Sequence, residues 1–180
     1  MIYYVALLRG INVGKAKRIS MEDLRALVER LGYEDVRTVL NTGNVVFKGK
    51  KAAEQTIADR IQEALEIRHG IESVTVVITA TDLDSIIRED PLSKVATSDS
   101  KHLVGFTMDQ TALFAARALP TDDFGDDTLA VTARAAYIWA PKGVAASKVC
   151  KAVDRIGKQA ITCRNWATLL KIQAATRIRD

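Results

Sequence analysis

Residues Val36–Phe47 read VRTVLNTGNVVF, two β-rich runs on either side of Asn41-Thr42-Gly43-Asn44. Asn and Gly tolerate positive φ, so the stretch predicts a tight hairpin between strands over Val36–Leu40 and Val45–Phe47. Its neighbours decide what the hairpin belongs to. Upstream, Ile2–Leu8 is a short continuous apolar run bounded by Gly10, which predicts a buried strand. Between that strand and the hairpin, Ser20 is placed to cap a helix, with Asp23 at the capping-box position. Leu24, Leu27, Val28 and Leu31 then repeat at helical spacing until Gly32. Downstream, Ile57, Ile61, Ala64 and Leu65 mark the inner face of a second helix over about Ala52–His69, with Gly70 as its stop. Val74–Thr79 then returns to strand. The order β-α-β-β-α-β, with an antiparallel hairpin at its middle, predicts a ferredoxin-like α+β unit in which both helices cover one face of a sheet.

Beyond this unit, a short helix follows Asp82 and ends near Asp90-Pro91, and the polar run Thr97-Ser98-Asp99-Ser100 reads as a linker. This predicts two subdomains, 1–95 and 96–180. The second shows a strand at His102–Met108, a helix near Thr111–Leu119, an acidic loop, strands at Leu129–Ala133 and Tyr137–Trp139, and two closing helices over about Val144–Lys158 and from Thr162 onward. No sequence repetition between the halves is strong enough to mark a duplication.

The composition is that of a globular protein, 48% hydrophobic and 27% charged over 180 residues. No apolar run reaches the length of a membrane span and no signal-peptide pattern opens the chain, so a cytoplasmic protein without a membrane partner is expected. Cys150 and Cys163 lie far apart without CxxC or Cys/His spacing, so neither zinc nor a disulfide framework is expected. Charge is uneven. From Lys142 to the end nine Lys and Arg face two Asp, a net +7, while the preceding residues carry −3. Partners of negative charge are therefore expected at the basic end.

Several positions are candidates for holding an anion. The stretch ALLRGINVGKAKRIS, Ala6–Ser20, leaves a strand through two glycines and several cations toward a helix N-terminus. It is not a P-loop: Gly10 and Gly14-Lys15 enclose three residues instead of four, and Ala16 stands where the motif needs Ser or Thr. Arg9, Asn12 and Lys15 remain as candidates, against the alternative of a structural turn with solvated cations. The hairpin's two amides, Asn41 and Asn44, could be aimed at the same ligand if the strand Ile2–Leu8 lies beside them, with Asn44 taken as the candidate, against plain turn chemistry. Near the C-terminus, Lys148, Lys151, Arg155 and Lys158 form a stripe about 80° wide beside an apolar face of Val149, Ala152, Val153 and Ile156. Such a stripe suits a nucleic-acid backbone, or it is only a solvated face. Arg164 and Asn165 fall in the expected first turn of the last helix, capped by Thr162, with Trp166, Leu169 and Leu170 inward. A cation there opposes the helix dipole unless an anion lies near. His69 and His102 have no sequence neighbour that marks a nucleophile or metal partner, and Asp122, Asp123, Asp126 and Asp127 match no EF-hand spacing, so no metal site is expected.

Taken together, ALLRGINVGK, VRTVLNTGNVVF, a Ser-Lys pair and TCRNWATLLK resemble the bacterial family numbered 1697 among the domains of unknown function. The resemblance implies an α+β fold of two small subdomains, the first ferredoxin-like, and no activity. It draws attention to Arg9, Gly10, Asn12, Gly14, Thr42, Gly43, Asn44, Ser147, Lys148, Arg164, Asn165, Trp166 and Thr168. At Ala145-Ala146 the chain departs from the family's usual pattern. The functional expectation is an anionic, phosphate- or carboxylate-bearing small molecule held between the subdomains by Arg9, Asn12, Lys15, Asn44, Ser147, Lys148, Arg164 and Asn165, with no cofactor and no named reaction. A nucleic-acid-binding module built on the basic helix and a protein-interaction or structural domain are the alternatives.

Overall fold

The computed structural model describes residues 1–15 and 17–177, with the Lys158 side chain also left out. The chain forms two compact units, one of residues 1–84 together with 171–177, the other of Ser85–Leu170. By packing, residues 85–95 group with the second unit and 171–177 with the first.

The first unit runs β1 (Ile2–Leu8), α1 (Met21–Arg30), β2 (Glu34–Val39), β3 (Asn44–Gly49), α2 (Glu54–His69), β4 (Thr75–Thr79) and the start of α3 (Ala80–Arg88). Its sheet has the order β2-β3-β1-β4, all antiparallel, which is the ferredoxin-like arrangement. Register places Ala6 opposite Val45 and Val77, and Tyr4 opposite Phe47, on one face. Against that face α1 buries Leu24, Leu27 and Val28, and α2 buries Ile57, Ala58, Ile61, Ala64 and Leu65. Phe47 is the aromatic centre of the core, stacked on Tyr4 and in contact with Tyr33. Ser20 caps α1 by accepting the Asp23 N–H at 2.9 Å, and Gly70 ends α2 in the left-handed region with φ of 62°. On the edge strand, Arg37 donates from Nη1 to the Ala175 carbonyl at 3.1 Å, so it caps the C-terminal part of the last helix, and Asp84 accepts from Gln173 and Arg177.

The second unit repeats this order. After α3 come β5 (His102–Phe106), α4 (Gln110–Arg117), β6 (Thr128–Val131), β7 (Ala136–Trp139), α5 (Lys148–Arg155), β8 (Thr162–Asn165) and α6 (Trp166–Arg177). The sheet order β6-β7-β5-β8, again antiparallel, is the first sheet's order with the strands renumbered. A helix also follows the last strand of each unit, α3 after β4 and α6 after β8. The fold is therefore a tandem of one topology, a duplication in structure that the sequence does not display. Tyr137 is fully buried and donates its hydroxyl to the Ile86 carbonyl at 2.8 Å; burial pushes that phenol up to about 12.

Two expectations in this unit are corrected. The helix over 144–158 is interrupted: a short 3-10 turn at Val144–Ala146 precedes Ser147, α5 spans eight residues, and Gly157 breaks helical geometry with φ of 55°. Residues 162–165 are a strand, not the first turn of a helix. They pair with β5, with Leu103 opposite Asn165 and Gly105 opposite Cys163. Arg164 therefore does not oppose the α6 dipole, and the cap is Asn165, whose Oδ1 accepts the Thr168 N–H at 2.9 Å. Leu170 is 40% exposed, whereas Leu169 is fully buried.

Candidate functional site

Between β1 and α1 the first unit carries a long ordered loop, and its geometry follows from a few residues. The Arg9 N–H donates to the Val74 carbonyl at 2.8 Å, and the Arg9 carbonyl accepts from Ser73 Oγ at 2.8 Å, which fixes the loop's exit from the sheet. Ile11 is fully buried and plugs the loop into the core. Asn12, with φ of 57°, is the clasp. Its side-chain amide donates to the carbonyls of Ile19 and Asn41, each at 2.8 Å, and its Oδ1 accepts the Ile19 N–H at 3.0 Å. One side chain thus closes the loop on itself and ties it to the hairpin. Outside this clasp Val13, Gly14, Lys15, Lys17 and Arg18 are exposed.

Two clefts border the loop. One, of about 400 Å³, is lined by Asn12, Arg18, Ile19, Ser20, Met21, Asp23, Asn41 and His69. The other, of about 320 Å³, places Lys17 with Glu66 and Glu72 beside Gln62, Ser73 and Val74. With two carboxylates against one ammonium, the second repels an anion. In the first, Arg18 is the fixed cation and Asp23 is occupied by Ser20, which donates to its Oδ2 at 2.7 Å.

The other expected site residues are bound up in local structure. Asn44 is fully buried; its amide donates to the Val39 carbonyl at 2.9 Å and to Thr42 Oγ1 at 3.2 Å, so it holds the hairpin it begins. Ser147, Lys148, Arg164 and Asn165 lie in the second unit. Arg164 donates to Thr162 Oγ1 and to the Cys163 carbonyl, each at 2.9 Å.

The N-terminus of α5 already holds an anion of the chain's own. Asp127 Oδ2 accepts from Ser147 Oγ at 2.8 Å, from the Lys148 N–H at 3.0 Å and from the Val149 N–H at 3.4 Å, while Ser147 Oγ accepts the Cys150 N–H at 3.0 Å. Its neighbour Asp126 pairs with Lys142 at 2.8 Å, both side chains largely exposed. Truncating Asp127 to Ala removes three acceptor contacts at a helix start and is expected to cost about 1–2 kcal/mol in urea denaturation. Asp126→Ala removes only an exposed pair and is expected to leave the denaturation midpoint close to that of the wild type.

Among the described residues, no group of three or more His, Cys, Asp or Glu is placed to hold a metal ion, and no helix is long and apolar enough to cross a membrane. Burial pushes the Cys150 thiol up, away from thiolate reactivity. The cationic stripe of the second unit is shorter than its spacing predicts. Lys148, Lys151 and Arg155 are exposed on α5, the helix ends at Arg155, and the side chain of Lys158 lies outside the described atoms.

Sequence reasoning missed Arg18, Ser20 and His69 as lining of one cleft, and of the two hairpin amides it is Asn41, not Asn44, that lines it. The topology contained the signal. Antiparallel α1 and α2 bring the start of the first, Ser20, to the end of the second, His69, at the level where the hairpin turns. The family model for a protein of unknown function, DUF1697, matches residues 1–137, which include the whole glycine-flanked loop and the hairpin. The chain belongs to the DUF1697 family. No curated protein matches it. The solved structure of the conserved bacterial protein SP0830 from Streptococcus pneumoniae is similar across 98% of this chain and 99% of that one, with a TM-score of 0.79 at 19% identity. That likeness shows a shared fold and nothing of activity.

Proposed function

We propose that this DUF1697 chain binds a phosphate- or carboxylate-bearing small molecule in the cleft beside the β1–α1 loop of its first unit. The observation that carries the reading is the Asn12 clasp, which fixes an irregular loop whose outer residues are Lys15, Lys17 and Arg18. Fixing the backbone before binding removes an ordering cost that a flexible cationic loop meets on every encounter. Arg18 lines the cleft and supplies a guanidinium suited to two-point contact with an anion. Ser20, Asn41 and His69 add polar groups on the remaining sides. Lys15 and the half-buried Arg9 contribute longer-range positive potential.

The nucleic-acid reading rests on three cations spread over eight residues of α5, with Asp154 exposed among them. The cleft carries the small-anion reading further, because convergence on a concave surface selects a compact ligand.

Isothermal titration calorimetry with pyrophosphate tests the reading. Arg18→Ala is expected to weaken binding about tenfold, the worth of one exposed charge-assisted contact, and raising the salt concentration weakens it further. Lys148→Ala is expected to leave it unchanged. Equal affinity of the wild type and Arg18→Ala, or loss of binding in Lys148→Ala alone, overturns the assignment.

A further inference from the structure

The second unit buries a histidine that the anion reading does not use. His102 opens β5 with 3% of its surface exposed, and its ring lies flat on Trp166, centroids 4.5 Å apart and planes 12° from parallel. Its Nε2 is buried without a hydrogen-bond partner. Asp90 Oδ1 lies 3.4 Å away, its side chain as deeply buried as that of His102, and the same oxygen accepts the Leu92 N–H at 2.9 Å, which fixes it beside the ring. Trp166, the first residue of α6, donates its backbone N–H to the Asp99 carbonyl at 3.1 Å. One imidazole therefore sits where three distant stretches meet: the turn after α3, the entry to β5 and the beginning of α6.

The charges facing this ring are those of Asp90 and Asp99. Lys101 is turned away, donating to the Pro141 carbonyl at 2.8 Å, and Glu89 pairs with Arg88 and Arg134. The neighbouring strands present Trp139 opposite His102 and Asn165 opposite Leu103, both uncharged. Burial opposes a charge on the ring more strongly than the two carboxylates favour it, so the closed arrangement holds His102 below the ordinary histidine value.

We propose that His102, Asp90 and Trp166 form an acid-released latch that clamps the turn after α3 and the first turn of α6 to the start of β5. In an opened latch the ring is hydrated and takes up a proton near its ordinary value of about 6.5. The closed latch resists that proton. The opened form therefore binds more protons, so the closed form is fully favoured above about pH 6.5 and loses ground as pH falls from there toward the lowered value. The proton is the effector, and the elements it frees are the turn that follows α3, at Asp90, and the start of α6, at Trp166.

The test uses the full chain carrying Trp139→Phe, which leaves Trp166 as the single tryptophan, and follows its emission and the hydrogen-exchange protection of residues 167–170 between pH 7.5 and 5.5. Emission is expected to change in one step and protection factors to fall by up to about tenfold, the limit one proton sets over this range, with both effects abolished by His102→Gln. Flat emission and constant protection, or the same step in His102→Gln, overturn the proposal. Should His102→Gln fail to fold, an NMR titration of the imidazole Cε1–H in the unmodified protein decides, with His69→Gln supplying the assignment. A His102 midpoint below about 6.5 supports the latch and one at or above it overturns it.

Discussion

Gly43→Ala is expected to destabilise the protein by about 3 kcal/mol or more, through two separate costs. Gly43 sits at φ of 77°, a conformation an L side chain adopts only under strain. A Cβ built there also falls 2.9 Å from the Leu8 Cβ and 3.0 Å from the Ile11 Cβ, closer than carbon atoms pack. Neither neighbour can yield readily. Leu8 is in the central strand, where its N–H donates to the Gly43 carbonyl at 2.8 Å, and Ile11 is the plug of the β1–α1 loop. The clash is therefore transmitted to the loop that borders the proposed site. Equilibrium urea denaturation should show a lowered midpoint with an unchanged slope, and exchange protection in residues 10–20 should fall with it. A variant as stable as the wild type contradicts this packing.

Asn12→Ala is the second large effect, at about 2–4 kcal/mol. It removes three hydrogen bonds at once, leaves the Ile19 N–H and two carbonyls to find water, and keeps alanine at φ of 57°. Asn12→Asp separates the contributions, because aspartate tolerates the backbone and keeps an acceptor for the Ile19 N–H but donates to neither carbonyl. It is expected to lose about half as much, and more slowly exchanging loop amides in Asn12→Asp than in Asn12→Ala are the accompanying signature. The measurement is again denaturant unfolding. Equal losses in both variants would show that the two donor bonds, which both variants lack, set the whole effect, with neither backbone strain nor the Ile19 N–H contact contributing.

The first unit was largely legible because its signals are local. Asn-Thr-Gly-Asn in a hairpin, Ser20 three residues before Asp23, and Gly70 after a helical run each act within a few residues, and each is found in that role or place. The β8–α6 junction misled because four residues, Thr162–Asn165, are too few to show a strand's alternation, and Thr162 resembles a cap as well as Asn165 does. The true spacing, Asn165 to Thr168, was in the sequence but competed with an equally good reading one turn earlier. Asp127 capping α5 from twenty residues away, Asn12 reaching Asn41, and Asp90 beside His102 depend on contacts distant along the chain, which no local pattern encodes. The duplication was hidden for a related reason: a sheet order survives as long as each strand keeps its inward face, whatever residues supply it.

That distinction also separates structural asparagines from a binding surface. Asn44 and Asn165 each spend hydrogen-bonding capacity on their own turn or helix start, and Asp127 satisfies the helix end marked by Ser147 and Lys148. Exposed cations are what remain, and they lie in the first unit, Arg18 lining the cleft and Lys15 on the same loop.

Mapping amide chemical shifts during titration with inorganic phosphate examines that surface most directly. Saturable shifts confined to residues 10–20, Asn41 and His69, and lost in Arg18→Ala, are the predicted result. A titration that never saturates, or shifts that cluster on α5 while the β1–α1 loop stays still, would contradict a phosphate-accepting cleft in the first unit.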